Sequence, residues 1–264
     1  MGALHAGHAR LIERARERCG YVVVSIFVNP LQFDRAEDLD RYPRTLHADL
    51  QVCASLGVEA VFAPAVREMY PDEPACLVKI GRIGDHLCGR YRPGHFGGVA
   101  TVVLKLLQIV QPDWAYFGEK DAQQLAVVRR LAADFNLPVR IDGVPTVREA
   151  DGVALSSRNQ RLSADERKLA ACLYEALCEA RRQVERGARD PAAVTTSAAA
   201  RVAADERVRL EYLELVNPVE MQPVPRIEGP VLAAGALWVG STRLIDNVMC
   251  DPARPAKGVR RARR

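Results

Sequence analysis

Tyr21-Val22-Val23-Val24-Ser25-Ile26-Phe27-Val28 is a nearly unbroken apolar, β-branched run. Such a run reads as a strand buried on both faces, as in a parallel sheet. Before it, Leu11, Ile12, Ala15 and Cys19 recur at helical spacing, and Gly20 can cap the helix. After it, Asn29-Pro30-Leu31-Gln32-Phe33 stands at the strand's carboxyl end, where open α/β sheets bind ligands. Asn29-Pro30 reads equally well as a plain turn. The helix is entered through Met1-Gly2-Ala3-Leu4-His5-Ala6-Gly7-His8. A helix start gathers unpaired N–H groups and the positive end of the helix dipole, a natural seat for phosphate. Gly7 lets the backbone approach a ligand, and the imidazoles can donate to phosphate oxygens, best when protonated.

The same alternation continues. Asp34–Arg44 is charged and reads as a mobile loop, and Thr45 can cap a helix ended by Gly57. Val58–Ala63 and Cys76–Ile80 read as strands. His86–Gly98 is rich in Gly, Arg and His, and Arg92 and His95 are weak site candidates. Val99–Val110 is an apolar helix and Trp114–Phe117 another buried strand. At the end of that strand stands Gly118-Glu119-Lys120-Asp121, followed by a helix from Ala122 to Phe135. Lys120 suits phosphate, and Asp121 suits a ribose hydroxyl or magnesium-bound water. Ser156-Ser157-Arg158 would make a triphosphate clamp, although such trios also occur in ordinary loops.

From about residue 147 the pattern changes to helices followed by strands, which places a domain boundary there. Ser163–Glu166 is a capping box that opens a helix to about Val184. A second helix is expected over about Pro191–Asp205. Strands are expected over Val208–Val216, Val231–Val239 and Arg243–Val248.

Seven scattered cysteines without a C-x-x-C pair argue against a disulfide framework or zinc site and for a reduced, cytoplasmic protein. No stretch is long and apolar enough to span a bilayer. Arg254, Lys257, Arg260, Arg261, Arg263 and Arg264 carry six positive charges of a formal net +4, which leaves residues 1–253 at −2. The tail over 251–264 is expected to be disordered, and nucleic acid is not an expected partner.

Taken together, Met1–His8, Phe27–Phe33, Tyr42-Pro43-Arg44, Phe117–Gln124 and Asp151–Asn159 occur in an order that closely resembles the pantoate–β-alanine ligase (pantothenate synthetase) family. Gly240–Asn247 fits as well. The resemblance implies an α/β fold: a Rossmann-like parallel-sheet domain over 1–146, a smaller α+β C-terminal lid domain over 147–250, and a homodimer. It implies that pantoate attacks ATP, carried with Mg²⁺, to give pantoyl adenylate and pyrophosphate; β-alanine then yields pantothenate and AMP. No direct protein ligand to the metal is expected.

By matching position, the resemblance places Met1, Gly2, Ala3, Leu4, His5, Ala6, Gly7 and His8 along ATP. His5 and His8 lie on phosphates, with His8 as proton donor. Lys120 stabilises charge on the transferring phosphate, and Gly118, Glu119 and Asp121 lie near the ribose and phosphates. Val147 meets the adenine, and Leu155, Ser156, Ser157 and Arg158 close on the nucleotide from the second domain. Gln32 and Gln124 hold pantoate, with Gln32 also near β-alanine. The family's first strand precedes the motif with which this sequence begins, so the flanking strand edges are expected to be unpaired. The rivals are another nucleotidyltransferase of this architecture, an inactive nucleotide-binding form, and a nucleic-acid binder using the basic tail.

Overall fold

Helix α1 (Ala6–Arg16) buries Ile12 and Ala15. Its solvent face carries the pairs Arg10–Glu13 and Arg14–Glu17, three residues apart. These side chains meet because that spacing lies on one face of a helix. The chain then enters β1 (Val23–Ser25), passes through α2 (Ala36–Asp40) and α3 (Leu46–Ser55), and returns as β2 (Ala60–Phe62). β1 and β2 pair in parallel, Val24 opposite Val61. A computed structural model describes residues 2–34, 36–40 and 42–253 of this chain. Met1 and the basic residues of the C-terminal tail, 254–264, lie outside the described residues.

Three helices follow: α4 (Val66–Met69), α5 (Cys88–Tyr91) and α6 (His95–Val110). α6 is buried over most of its surface, including Phe96, Val99, Ala100, Val103 and Leu107. Next come β3 (Trp114–Gly118), α7 (Ala122–Asp134) and β4 (Arg140–Val144). β3 and β4 pair in parallel, Tyr116 opposite Asp142. Among the described residues the two parallel ladders are not hydrogen-bonded to each other. One core cluster gathers Ile12, Ala15, Val22, Val24, Ile26 and Cys53, with Leu4 and Tyr116 packed against it.

Two strand expectations change. The apolar run at residues 21–28 forms a ladder only over Val23–Ser25. Among the described residues β1 has a hydrogen-bonded neighbour on one side, and its partner β2 is itself three residues long. Residues 76–80 form no strand. The Val78 N–H donates to Thr101 Oγ1 of α6 at 3.0 Å, so this donor is spent on a helix side chain rather than on a ladder.

The second unit is built from α8 (Ala164–Leu169), α9 (Ala171–Glu185), α10 (Pro191–Ala199) and an antiparallel sheet. The sheet runs β5 (Val208–Val216), β6 (Val231–Val239), β7 (Thr242–Cys250), in that order. The expected capping box is present: Glu166 N–H donates to Ser163 Oγ at 3.3 Å, and Ser163 N–H to Glu166 Oε2 at 2.8 Å. Leu177, Ala180, Val184 and Val194 pack on Ala233, Leu237 and Val239 as its core. The observed division differs from a cut at residue 147. The first unit comprises Met1–Glu149 and Ala154–Gln160, and the second Ala150–Val153 and Arg161–Arg264. Leu155, Ser156, Ser157 and Arg158 therefore belong to the first unit. The local reason is an antiparallel return: Arg148 bridges Ala154, and Leu155 N–H donates to the Val147 carbonyl at 3.0 Å.

Gly98 sets how closely α6 approaches residues 30–32. A methyl group there would run into the Leu31 carbonyl. Gly98→Ala would raise helix propensity by about 1 kcal/mol in an open helix. Here it should instead destabilise the protein by about 1–3 kcal/mol, because backbone must move. Urea denaturation of the variant checks the sign.

Candidate active site

The start of α1 is held by a carboxylate from another helix. Asp49 of α3 is 2 % exposed. Its Oδ2 accepts from Ala3 N–H at 3.0 Å and its Oδ1 from Leu4 N–H at 2.7 Å. Thr45 Oγ1 donates to the same carboxylate at 3.2 Å, so Thr45 orients Asp49 instead of capping α3 as expected. Gly2 and Ala3 have φ of +146° and +50°, a left-handed stretch that costs free energy at Ala3. The buried carboxylate holds this stretch in place and so decides where His5 begins.

His5 and His8 cap the helix reciprocally. Gly7 N–H donates to His5 Nδ1 at 3.1 Å, and His5 N–H donates to His8 Nδ1 at 3.3 Å. Both Nδ1 atoms are therefore acceptors, and each neutral ring carries its proton on Nε2. The ring centroids are 4.1 Å apart. A side chain on Gly7 would press on the His5 ring, within 2.9 Å of Cε1. The same Gly7 position lies about 4.0 Å from Leu155 Cβ.

Burial and then the nearby Lys120 lower the His5 pKa, against Asp121. Burial and the neighbouring His5 push His8 down to about 3. Protonation, which would strengthen their hold on phosphate, is therefore disfavoured here. The rings are neutral near pH 7 and offer Nε2–H as hydrogen-bond donors.

Lys120 and Asp121 stand at the end of β3, with Lys120 Nζ 3.5 Å from Asp121 Oδ1. Burial opposes ionisation of Asp121, but Lys120 and Arg158 outweigh it and hold the carboxyl below its ordinary value. Arg158 is lowered by burial and by Arg92, while Asp38, Tyr42 and Asp121 draw it the other way. His5, His8, Lys120, Asp121 and Arg158 therefore share one electrostatic neighbourhood. Gly118 precedes Lys120, but the Glu119 carboxylate is exposed and lies against Gly143 of β4. Val147, Leu155, Ser156 and Ser157 are half-buried in the first unit.

A second cluster surrounds Gln32. Arg92 NH2 is 2.8 Å from Asp34 Oδ1 and donates to the Gln32 carbonyl at 3.2 Å. His95 Nδ1 lies 2.7 Å from that same carbonyl and so carries the proton, while its Nε2 accepts from Arg92 at 3.2 Å. Burial and Arg92 push His95 down to about 4. Arg92 and His95 thus brace the backbone beneath Gln32. Gln124 is half-buried in the first turn of α7. Its neighbour Gln123 is the buried one, donating to the Ile83 and His86 carbonyls at 3.0 and 2.8 Å. Met1 falls outside the described residues.

Sequence reading missed Asp49 and Gln123. Their signals, a carboxylate inside a helix and a polar residue beside apolar ones, are too common to point to a site. Among the described residues, no three His, Cys, Asp or Glu side chains group so as to hold a metal ion. No helix among them is long and apolar enough to cross a membrane.

Residues 1–249 match the family model described as pantoate-beta-alanine ligase. A bifunctional pantoate ligase/cytidylate kinase of Thermosynechococcus vestitus is 54 % identical over 98 % of this chain and 51 % of its own length. The chain thus spans about half the length of that relative. The crystal structure of pantothenate synthetase from Thermus thermophilus matches with a TM-score of 0.90 and 46 % identity, covering 94 % of this chain and 90 % of that one. The Francisella tularensis pantoate-beta-alanine ligase, crystallised with beta-gamma ATP and beta-alanine, matches with a TM-score of 0.78 and 36 % identity over 94 % and 87 % of the two chains.

Two outcomes follow from the site's geometry. Asp49→Ala would leave two partly buried N–H groups without their acceptor, at a cost of about 1–3 kcal/mol. A lowered unfolding midpoint in urea would register it. The second concerns acid. His8 and His95 have folded pKa values of about 3 and about 4, below their ordinary 6.5. Between pH 6.5 and those values the unfolded chain binds protons that the folded chain refuses, so stability falls as pH falls through this window. His8→Gln should flatten the fall, measured as the urea midpoint at several pH values.

Proposed function

The chain belongs to the pantoate–β-alanine ligase family, and from that premise we propose that it condenses (R)-pantoate with β-alanine at the expense of ATP. In the first step the pantoate carboxylate attacks the α-phosphorus of ATP, the bond to the β-phosphate oxygen breaks, and pyrophosphate leaves. In the second, the β-alanine amine attacks the acyl carbon of the adenylate, AMP leaves, and the amine gives up a proton. A free carboxylate would have to expel oxide, whereas AMP is a good leaving group. The protein's part is therefore positioning and charge stabilisation rather than covalent catalysis.

The observation that carries this reading is the convergence of two neutral imidazoles, each with its proton on Nε2, with Lys120, Asp121 and Arg158 at the N-terminus of α1. Donors and cations at a helix start suit a polyphosphate. His5 and His8 would donate to phosphate oxygens through Nε2–H, with His8 nearest the departing group. Lys120 would hold charge on the transferring phosphate, and Arg158 with Ser156 and Ser157 would grip the outer phosphates. Asp121 and Gly118 would meet the ribose. Val147 and Leu155, joined through their backbones, would flank the adenine. The backbone of residues 2–7 would run along the nucleotide. Gln32 and Gln124 would hold pantoate, with β-alanine entering beside Gln32. Magnesium would arrive with ATP and neutralise phosphate charge. A homodimer and a cytoplasmic location complete the proposal.

ATP–pyrophosphate exchange with pantoate present and β-alanine absent tests it. Exchange should require pantoate and fall about 10²–10³-fold in His8→Ala and Lys120→Ala, the usual cost of one electrostatic donor. Exchange that proceeds equally without pantoate, or is absent altogether, would overturn the assignment.

A further inference from the structure

The side chain of Asn29 is 1 % exposed and uses its whole hydrogen-bonding capacity. Its Oδ1 accepts from Leu31 N–H at 3.3 Å and from the Tyr70 hydroxyl at 3.0 Å. Its Nδ2 donates to the Gly98 carbonyl at 3.0 Å and to Gln32 Oε1 at 3.3 Å. Two of these partners leave no choice of direction. A backbone N–H only donates and a backbone carbonyl only accepts, so Leu31 and Gly98 together fix which end of the Asn29 amide is oxygen. With Nδ2 facing Gln32, the Gln32 amide must turn its oxygen to Asn29. The Tyr70 hydroxyl, facing an acceptor, must donate.

We infer that Tyr70, which closes helix α4, is a positioning residue for substrate binding: through Asn29 it holds the Gln32 amide with its NH₂ group presented to the acceptor oxygens of the hydroxy-acid substrate. The inference rests on the reading of Gln32 as a pantoate-binding residue. Burial pushes the Tyr70 hydroxyl up to about 12, so it stays protonated and able to donate across the working pH range. The ring is held from two sides, 6.2 Å from the Phe27 centroid and 5.4 Å from Lys105 Nζ. Met69, the last residue of α4, is 2 % exposed and anchors the helix whose end places the hydroxyl. A Gln amide free to turn would offer donor and acceptor ends alternately. One whose oxygen is turned to Asn29 presents its NH₂ donors on the other side, which suits a carboxylate.

Tyr70→Phe removes one hydroxyl and keeps the ring. In pantoate-dependent ATP–pyrophosphate exchange it should raise the KM for pantoate about fivefold, the equivalent of one neutral hydrogen bond, and leave the KM for ATP unchanged. In a Gln32→Ala background the same substitution should have no further effect, because the group it positions is gone. A merely structural role would lower activity equally in both backgrounds and would not separate the two KM values; either result overturns the inference. Side-chain amide relaxation by NMR gives a readout without substrate. The Gln32 NH₂ signals, identified by their loss in Gln32→Ala, should be ordered in the parent and less ordered in Tyr70→Phe, where Leu31 and Gly98 still set the direction of Asn29 but its oxygen has lost one of its two donors. Unchanged order in Tyr70→Phe would overturn the inference even if the parent showed no exchange, a result that would separately sink the ligase reading.

Discussion

A single buried carboxylate sets the geometry on which the candidate site rests. Asp49 accepts from the N–H groups of Ala3 and Leu4 and from the Thr45 hydroxyl. Without it, a left-handed residue and the glycine before it would have little reason to keep one conformation. With it, the backbone enters α1 at a fixed point, and the first turn can be closed by two histidines instead of the usual short polar caps. Each histidine uses Nδ1 as the cap and carries its proton on Nε2. The same two side chains thus close the helix start through Nδ1 and present donors through Nε2.

The same logic recurs wherever a side chain here has a defined direction. His95 must carry its proton on Nδ1 because that atom faces the Gln32 carbonyl, whereas His5 and His8 must carry theirs on Nε2 because Nδ1 faces an N–H. Asn29 is oriented by Leu31 and Gly98. In each case a backbone group, which cannot reverse its role, dictates the polarity of a group that could. Donors arranged before the substrate arrives need no reorganisation during reaction, and that is where electrostatic catalysis gains most. Burial contributes too, since it keeps the imidazoles neutral and leaves Lys120 and Arg158 as the cations of the cluster.

The second unit is held together differently. β6 is buried along nearly its whole length, and α9 supplies Leu173, Leu177 and Val184 to the same core. On the sheet, Glu211 accepts from Trp238 Nε1 at 2.9 Å and from Arg243 Nε at 2.9 Å, joining all three strands through side chains. Gly235 lets Leu173 approach the central strand; a methyl there would stand 2.8 Å from its Cδ1. This unit is a scaffold of local antiparallel pairing. The first unit depends on parallel strands brought together over long sequence separations.

The sequence by itself determined the class of fold and the order of most elements. Periodicity is local, so α1, α6, α7, the capping box at Ser163 and the strands β5 to β7 were legible from spacing alone. The family was legible too, because His5, His8, Lys120 and Arg158 lie in motifs that resemble it, and residues 1–249 match its model. What only the tertiary structure decided was direction, partnership and extent. The histidine tautomers, the orientation of Gln32, the roles of Asp49 and Tyr70, and the membership of Leu155–Arg158 in the first unit all depend on residues far apart in the chain. So does the shortening of the strand expected over residues 21–28, since a ladder exists only where a neighbour supplies its bonds. A residue's type states which hydrogen bonds it can make; only its packed surroundings state which of them it has already spent.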